Sequence, residues 1–306
     1  MARRRLALLA TLVATATLVA ASGASIARNG HILVVVDTGV SDRICIVTPG
    51  GLRALPLKGR FSDADWSPSG ARFVYSAGQV DGSWLAVTAA ANGSKRRVVG
   101  ASNALASVDW SPDGRKIAYV AAEWNGPETA IVVVRQDRPA AAPRYVVGGS
   151  YDRDDFGEYE SPSWSPDARR LAYDKLVGDR RQVFVALADG SGIRQLTTAG
   201  GSSPSWAPNG AGIAFAGERE GVVGLYLIRP DGTNERLLAE GVSSADWSPD
   251  GRWIASARNG GRELVRMPST GGTAVVVARS RHRIVDIAWR PEPRVSQAAL
   301  PPRRCG

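Results

Sequence analysis

Six tryptophans, Trp66, Trp110, Trp164, Trp206, Trp247 and Trp289, stand in one recurring phrase, at intervals of 44, 54, 42, 41 and 42 residues. The phrase reads ADWSPSGARFVYSA from Ala64, VDWSPDGRKIAYVA from Val108, PSWSPDARRLAYDK from Pro162, PSWAPNGAGIAFAG from Pro204, ADWSPDGRWIASAR from Ala245 and IAWRPEPRV from Ile287. A period near 42 residues means that the chain is an array of one supersecondary unit, since no single unit can bury its own apolar face. No segment carries a 3.6-residue apolar pattern long enough for paired helices.

Each period reads as four short strands. The first ends at the tryptophan. Ser-Pro-Asp-Gly then turns the chain, with Pro presetting φ and Gly taking the left-handed position that closes a hairpin. A second apolar triplet follows (Phe73-Val74-Tyr75; Ile117-Ala118-Tyr119; Leu171-Ala172-Tyr173), then a third (Leu85-Ala86-Val87; Ile131-Val132-Val133; Val183-Phe184-Val185). Turns such as Asp189-Gly190 and Asp231-Gly232 lead to a fourth strand (Gln195-Leu196-Thr197; Arg236-Leu237-Leu238). Four antiparallel strands per period build a propeller blade. Ala168 stands where the turn glycine is expected, and Ala207 and Asn209 replace Ser and Asp; these soften single turns without changing the period.

The two ends of the array are complementary. Ahead of Trp66 lie Ile32 to Val36, Ile44-Cys45-Ile46 and Leu55 to Leu57, three strands lacking a first one. After the fifth full repeat comes a lone first strand ending at Trp289, followed by Arg290-Pro291-Glu292-Pro293. Joined, they form one split blade. The chain is therefore expected to be all-β, a six-bladed propeller over residues 30–293 closed by pairing its terminal segments, which leaves no free sheet edge. Residues 294–306 read as a tail.

The repeat x-W-S-P-D-G-x-x-I-A-Y, with its apolar triplet and D-G turn, resembles the TolB-type (WD40-like) propeller repeat over essentially the whole array. That resemblance implies a protein-protein adaptor of envelope assemblies. TolB carries an α/β domain ahead of its propeller, and none is expected here. Similar repeats cap hydrolases of the prolyl-oligopeptidase type, and no hydrolase domain is expected here.

The N-terminus sets the compartment. Arg3-Arg4-Arg5 precedes an uncharged run from Leu6 to Ala21, and Ser22-Gly23-Ala24 and Ser25-Ile26-Ala27 offer small residues for cleavage. Residues 1–27 read as a secretory signal peptide, the alternative being a retained anchor. A periplasmic or secreted location follows, without nucleic acid as partner, although the chain carries 38 Lys and Arg against 29 Asp and Glu, for a net +9. A monomer with no further membrane span is expected.

Chemistry is sparse. With two histidines and two cysteines, a His- or Cys-rich metal site is not expected, nor a His-dependent nucleophile. No G-x-S-x-G, P-loop, G-x-G-x-x-G or H-E-x-x-H motif occurs. No catalytic residue, metal or cofactor is assigned. His31 and His282 are expected at opposite ends of the split blade. The motif tryptophans read as packing between blades, because a residue in the same place in every blade serves the architecture.

Asp63, Asp65, Asp109, Asp246 and Asp286 fall on first strands and should line the central channel, either bonding neighbouring backbone or holding a cation or water. The 54-residue interval places Tyr151, Asp154, Asp155, Phe156, Glu158 and Tyr159 between two blades, near Trp124, as an aromatic and acidic cluster on one rim. Asp152 to Asp155 resembles a calcium loop whose oxygen spacing fails at Phe156. These seven residues form the candidate partner surface, since aromatics dominate interface hot spots. Cys45 and Cys305 are a candidate disulfide, set against a buried Cys45 with no partner. The reading is an exported binding scaffold for a protein or envelope component. The alternative is a hydrolase or lyase acting on a glycan or peptide through paired channel carboxylates.

Overall fold

The computed structural model describes residues 31–39, 41–48, 50–103, 107–122, 128–138, 142–148, 157–242 and 244–290. In chain order the strands are β1 (Ile32–Asp37), β2 (Asp42–Thr48), β3 (Gly51–Ala54), β4 (Arg60–Trp66), β5 (Arg72–Gly78), β6 (Trp84–Ala90), β7 (Arg97–Ser102), β8 (Val108–Trp110), β9 (Lys116–Ala122), β10 (Thr129–Arg135), β11 (Arg144–Val147) and β12 (Tyr159–Trp164). The second half holds β13 (Arg170–Val177), β14 (Arg180–Leu187), β15 (Arg194–Gln195), β16 (Ser202–Trp206), β17 (Ile213–Arg219), β18 (Val222–Ile228), β19 (Arg236–Glu240), β20 (Asp246–Trp247), β21 (Trp253–Arg258), β22 (Glu263–Pro268), β23 (Val275–Arg279) and β24 (Arg283–Trp289). They form six four-stranded antiparallel sheets. Five follow chain order, and the sixth runs β24-β1-β2-β3. The expected six-bladed propeller with one split blade is thus the fold.

Closure is continuous. Ile32 pairs with Trp289, Val34 with Ile287 and Asp37 with Arg283, with one bulge between Val35 and Val36. His31 and His282 accordingly lie at opposite ends of that pairing, as expected. The last strand of the split blade is β3 at Gly51–Ala54, a few residues earlier than Leu55 to Leu57. Leu55 and Leu57 instead tuck their side chains into the core as the chain crosses towards β4.

The core is divided among the blade interfaces. Each of the six apolar clusters draws on two adjacent blades and holds one motif tryptophan. Middle strands are buried on both faces, which is why they read as unbroken apolar runs. On β1, Leu33 and Val35 serve one interface while Ile32, Val34 and Val36 serve the other. A cation from one blade covers the next blade's indole: Lys116 lies 5.3 Å from the Trp164 ring, Arg170 5.0 Å from Trp206 and Arg290 5.0 Å from Trp66.

The Ser-Pro-Asp-Gly turn shows why each residue is there. The Ser111 hydroxyl donates to Asp113 at 2.6 Å and accepts from the Lys116 N–H at 2.9 Å. Asp113 also accepts from the Arg115 N–H at 3.0 Å. Gly114 takes φ +73°, and Ala168 adopts φ +55° at the same place in its blade, so this turn keeps its shape despite a Cβ in the left-handed region.

Candidate functional site

First strands run inward along the axis and enclose a central cavity of about 260 Å³. Two positions of each first strand face it: the residue just before the tryptophan and the residue three before it. In the first tier stand Asp65, Asp109, Ser163, Ser205, Asp246 and Ala288; in the second, Asp63, Ser107, Ser161, Ser203, Ser244 and Asp286. All five predicted aspartates therefore line the channel together, and among the described residues no Lys, Arg or His does.

These carboxylates hold the ring together. Asp65 accepts from the Trp110 N–H of the next blade at 2.7 Å, and Asp109 from that of Trp164 at 2.5 Å. Ser163 does the same for Trp206 at 3.1 Å, and Asp246 for Trp289. The second tier repeats the device one rung away: Asp63 accepts from the Val108 N–H, and Asp286 from the Ala64 N–H at 3.0 Å. The backbone-bonding role weighed for these residues is thus the one the geometry displays.

Electrostatics follow from enclosure. Each aspartate is partly open to the channel but is otherwise surrounded by protein, and burial raises every one. Asp65 is pushed up to about 6 and Asp286 to about 7. Burial lifts Asp63 well above the usual range, with Asp286, Asp65 and Asp109 adding repulsion. Asp109 and Asp246 are raised by burial first and by Asp65 second. The contact between the two carboxyls lowers Asp65 and raises Asp109. Among the described residues no group of three or more His, Cys, Asp or Glu is arranged to hold a metal ion.

The propeller has two faces. First strands begin on the face carrying the loops between second and third strands, here the loop face, and end on the Ser-Pro-Asp-Gly turn face. Two further clefts open on the loop face, one of about 410 Å³ between the split blade and the blade of β4–β7, the other of about 580 Å³ between the blades of β12–β15 and β16–β19. Blade order puts them on opposite sides of the channel mouth. Beside the larger cleft, Arg181 binds Asp174 at 3.0 Å, Glu160 at 2.7 Å and Glu158 at 3.4 Å. Asp174 is fully buried, and its other oxygen accepts from the Ser203 N–H at 3.0 Å. Burial raises its proton affinity against the pull of Arg181. Sequence reasoning missed this node; an acidic residue where the other second strands carry Ser, Val or Ala was the available signal.

The predicted rim cluster divides. Trp124, Tyr151, Asp154, Asp155 and Phe156 lie outside the described residues. Glu158 is on the rim, half-buried and paired with Arg181. Tyr159 is a correction: it is fully buried and cannot meet a partner. It opens β12, where its ring packs 5.8 Å from Tyr173 beneath the Lys175 ammonium, so it belongs to a blade interface. Cys45 is buried on β2; Cys305 lies outside the described residues.

Comparison with known proteins agrees with this architecture. Residues 158–294 match the PD40 TolB beta propeller domain. The match begins where the regular interval resumes after the long insertion. The Tol-Pal system protein TolB of Gluconobacter oxydans is 43% identical over 58 residues, 18% of this chain and 13% of that protein. An uncharacterized peptidase, YuxL, of Bacillus subtilis is 30% identical over 105 residues, 30% of this chain and 16% of that one. The matched segments thus span less than a fifth of either relative. In solved structures, TolB from Acinetobacter baumannii superposes with a TM-score of 0.72 at 16% identity, over 86% of this chain and 67% of that one. The chain is a TolB-like six-bladed β-propeller.

Proposed function

We propose that this protein is an exported, non-catalytic binding scaffold that engages another protein or a cell-envelope component through its loop face. The observation that supports the reading most is the use of the channel carboxylates. All five accept backbone N–H groups of the neighbouring blade. Groups committed to holding the ring are poorly placed to attack or protonate a substrate. The loop face, by contrast, presents the channel mouth with a cleft on either side, a surface suited to a partner spanning several blades. The resemblance to TolB propellers supports the same reading, and together with the N-terminal signal it supports a periplasmic or secreted location.

Photo-crosslinking tests this. A crosslinking residue placed at Val223 or Glu220, on the loop face, should capture a discrete partner in intact envelopes, whereas the same residue at Arg115 or Arg169, on the turn face, should not. Capture from the turn face alone would overturn the assignment. One observation favours the second reading, a hydrolase or lyase: Asp65 and Asp109 are two interacting channel carboxyls, both raised by burial. Turnover of a glycan or peptide that Asp109→Asn abolishes would establish that reading instead.

A further inference from the structure

The smaller loop-face cleft gathers an indole, a guanidinium, two carboxylates and two hydroxyls. Of the eight tryptophans among the described residues, the six in the motif are sealed between blades. Trp253 lies under Arg266, 4.4 Å from its ring. Trp84 instead lines the cleft at the start of β6. Its cross-strand partner is Gly78, where an added Cβ would stand 3.3 Å from the indole, so the glycine gives the ring room to lie across β5.

Around it stand charges of both signs. Arg60 lies 5.7 Å from the indole centroid and makes no ion pair among the described residues. Asp42 spends one oxygen on the Phe61 N–H at 2.8 Å, and Asp37 one on the Gly39 N–H at 2.7 Å, leaving each a second oxygen. The hydroxyls of Ser41 and Ser62 complete the wall, and Ser62 also borders the channel mouth. The volume of about 410 Å³ is that of a small-molecule site.

The mixture selects its ligand. An anion would meet two carboxylates. A cation would meet Arg60, already above the indole. A neutral polyol avoids both penalties: its hydroxyls donate to Asp37 and Asp42 and accept from Arg60, while its C–H groups pack against the indole beside the guanidinium. We propose that the cleft between the split blade and its β4–β7 neighbour is a binding site for a neutral sugar unit, with Trp84 as the apolar wall and Asp37, Asp42 and Arg60 as the hydroxyl readers. The site goes beyond the scaffold reading and does not depend on it, because its ligand is a small carbohydrate.

The test is binding of cellobiose, maltose and N,N′-diacetylchitobiose to the purified chain, by saturation-transfer NMR and calorimetry, with digalacturonate and a trilysine peptide as charged comparisons. At least one neutral disaccharide should bind in preference to both charged probes. Trp84→Ala should weaken it about tenfold, the equivalent of one lost aromatic contact. Arg60→Met, which keeps the aliphatic stem, should also weaken binding while leaving the unfolding midpoint unchanged, and it carries the test if Trp84→Ala folds poorly. Absence of binding by all three neutral sugars, preference for a charged probe, or equal affinity in both variants would overturn the proposal. Partner crosslinking from Val223 would stand in any of those cases.

Discussion

Replacing Asp286 by Asn should make this propeller more stable at neutral and alkaline pH. Asp286 sits at the ring closure, and its carboxyl accepts the Ala64 N–H across the junction of the split blade and its neighbour. Burial pushes it up to about 7 from an ordinary 3.8. Between those values the folded chain keeps a proton that the unfolded chain has released. Folding stability from this group is therefore greatest below about pH 4 and falls as pH rises through about 7. At 1.36 kcal/mol per pH unit the full effect is about 4 kcal/mol, an upper bound because Asp65 and its neighbours share the cavity. Asparagine carries no charge and still offers an oxygen to the Ala64 N–H. Urea unfolding followed by tryptophan fluorescence should find variant and parent nearly equal at about pH 4, and the variant ahead by about 2 to 4 kcal/mol at about pH 8.5. Groups elsewhere that titrate oppositely, such as Asp113 and Glu263, cancel in the difference. A variant weaker by the same amount at every pH would refute the reasoning, for it would mean that an ionised Asp286 bonds the backbone and that charge in the channel is compensated.

Three further expectations concern the architecture. Ser165→Ala removes a buried hydroxyl that bonds Asp167 at 2.6 Å and the Arg170 N–H at 2.8 Å, and should cost about 1 to 2 kcal/mol by denaturant unfolding; Ala207→Ser, which supplies that hydroxyl where it is missing, should not destabilise. Trp206→Ala opens a cavity at one blade interface and should cost about 3 to 5 kcal/mol, seen as a lowered thermal midpoint. Arg181→Ala strands the buried Asp174 carboxylate and should cost about 3 to 5 kcal/mol at neutral pH. That cost should shrink as acid protonates Asp174, and Asp174→Asn in the same chain should recover most of it.

The period and its internal order carried most of the architecture. A tryptophan every 42 or so residues, followed by a turn with a left-handed glycine, admits few structures other than a blade array. Complementary partial repeats at the two ends then dictate how the array closes. The five channel aspartates were legible for the same reason: a residue a fixed distance before each tryptophan must occupy the same place in each blade. What each one does was not legible. Whether a channel carboxylate faces water, a metal or a neighbour's N–H depends on how far one blade is rotated against the next, which is settled only when all six pack.

Tyr159 shows the same limit from the other side. As part of an insertion it reads as a surface aromatic, but its strand begins at Tyr159 itself, and the sheet draws its ring beneath Lys175. The Arg181 node joins β12, β13 and β14 with the first residues of the next blade, and the Trp84 cleft joins β1, β4, β6 and β24. No local pattern marks either one. The sequence by itself determined the repeating unit, the number of blades and the split closure, because those follow from periodicity along one chain. Only the tertiary structure decided which charges meet, since that depends on contacts between blades that are dozens or hundreds of residues apart along the chain, and on the burial those contacts create.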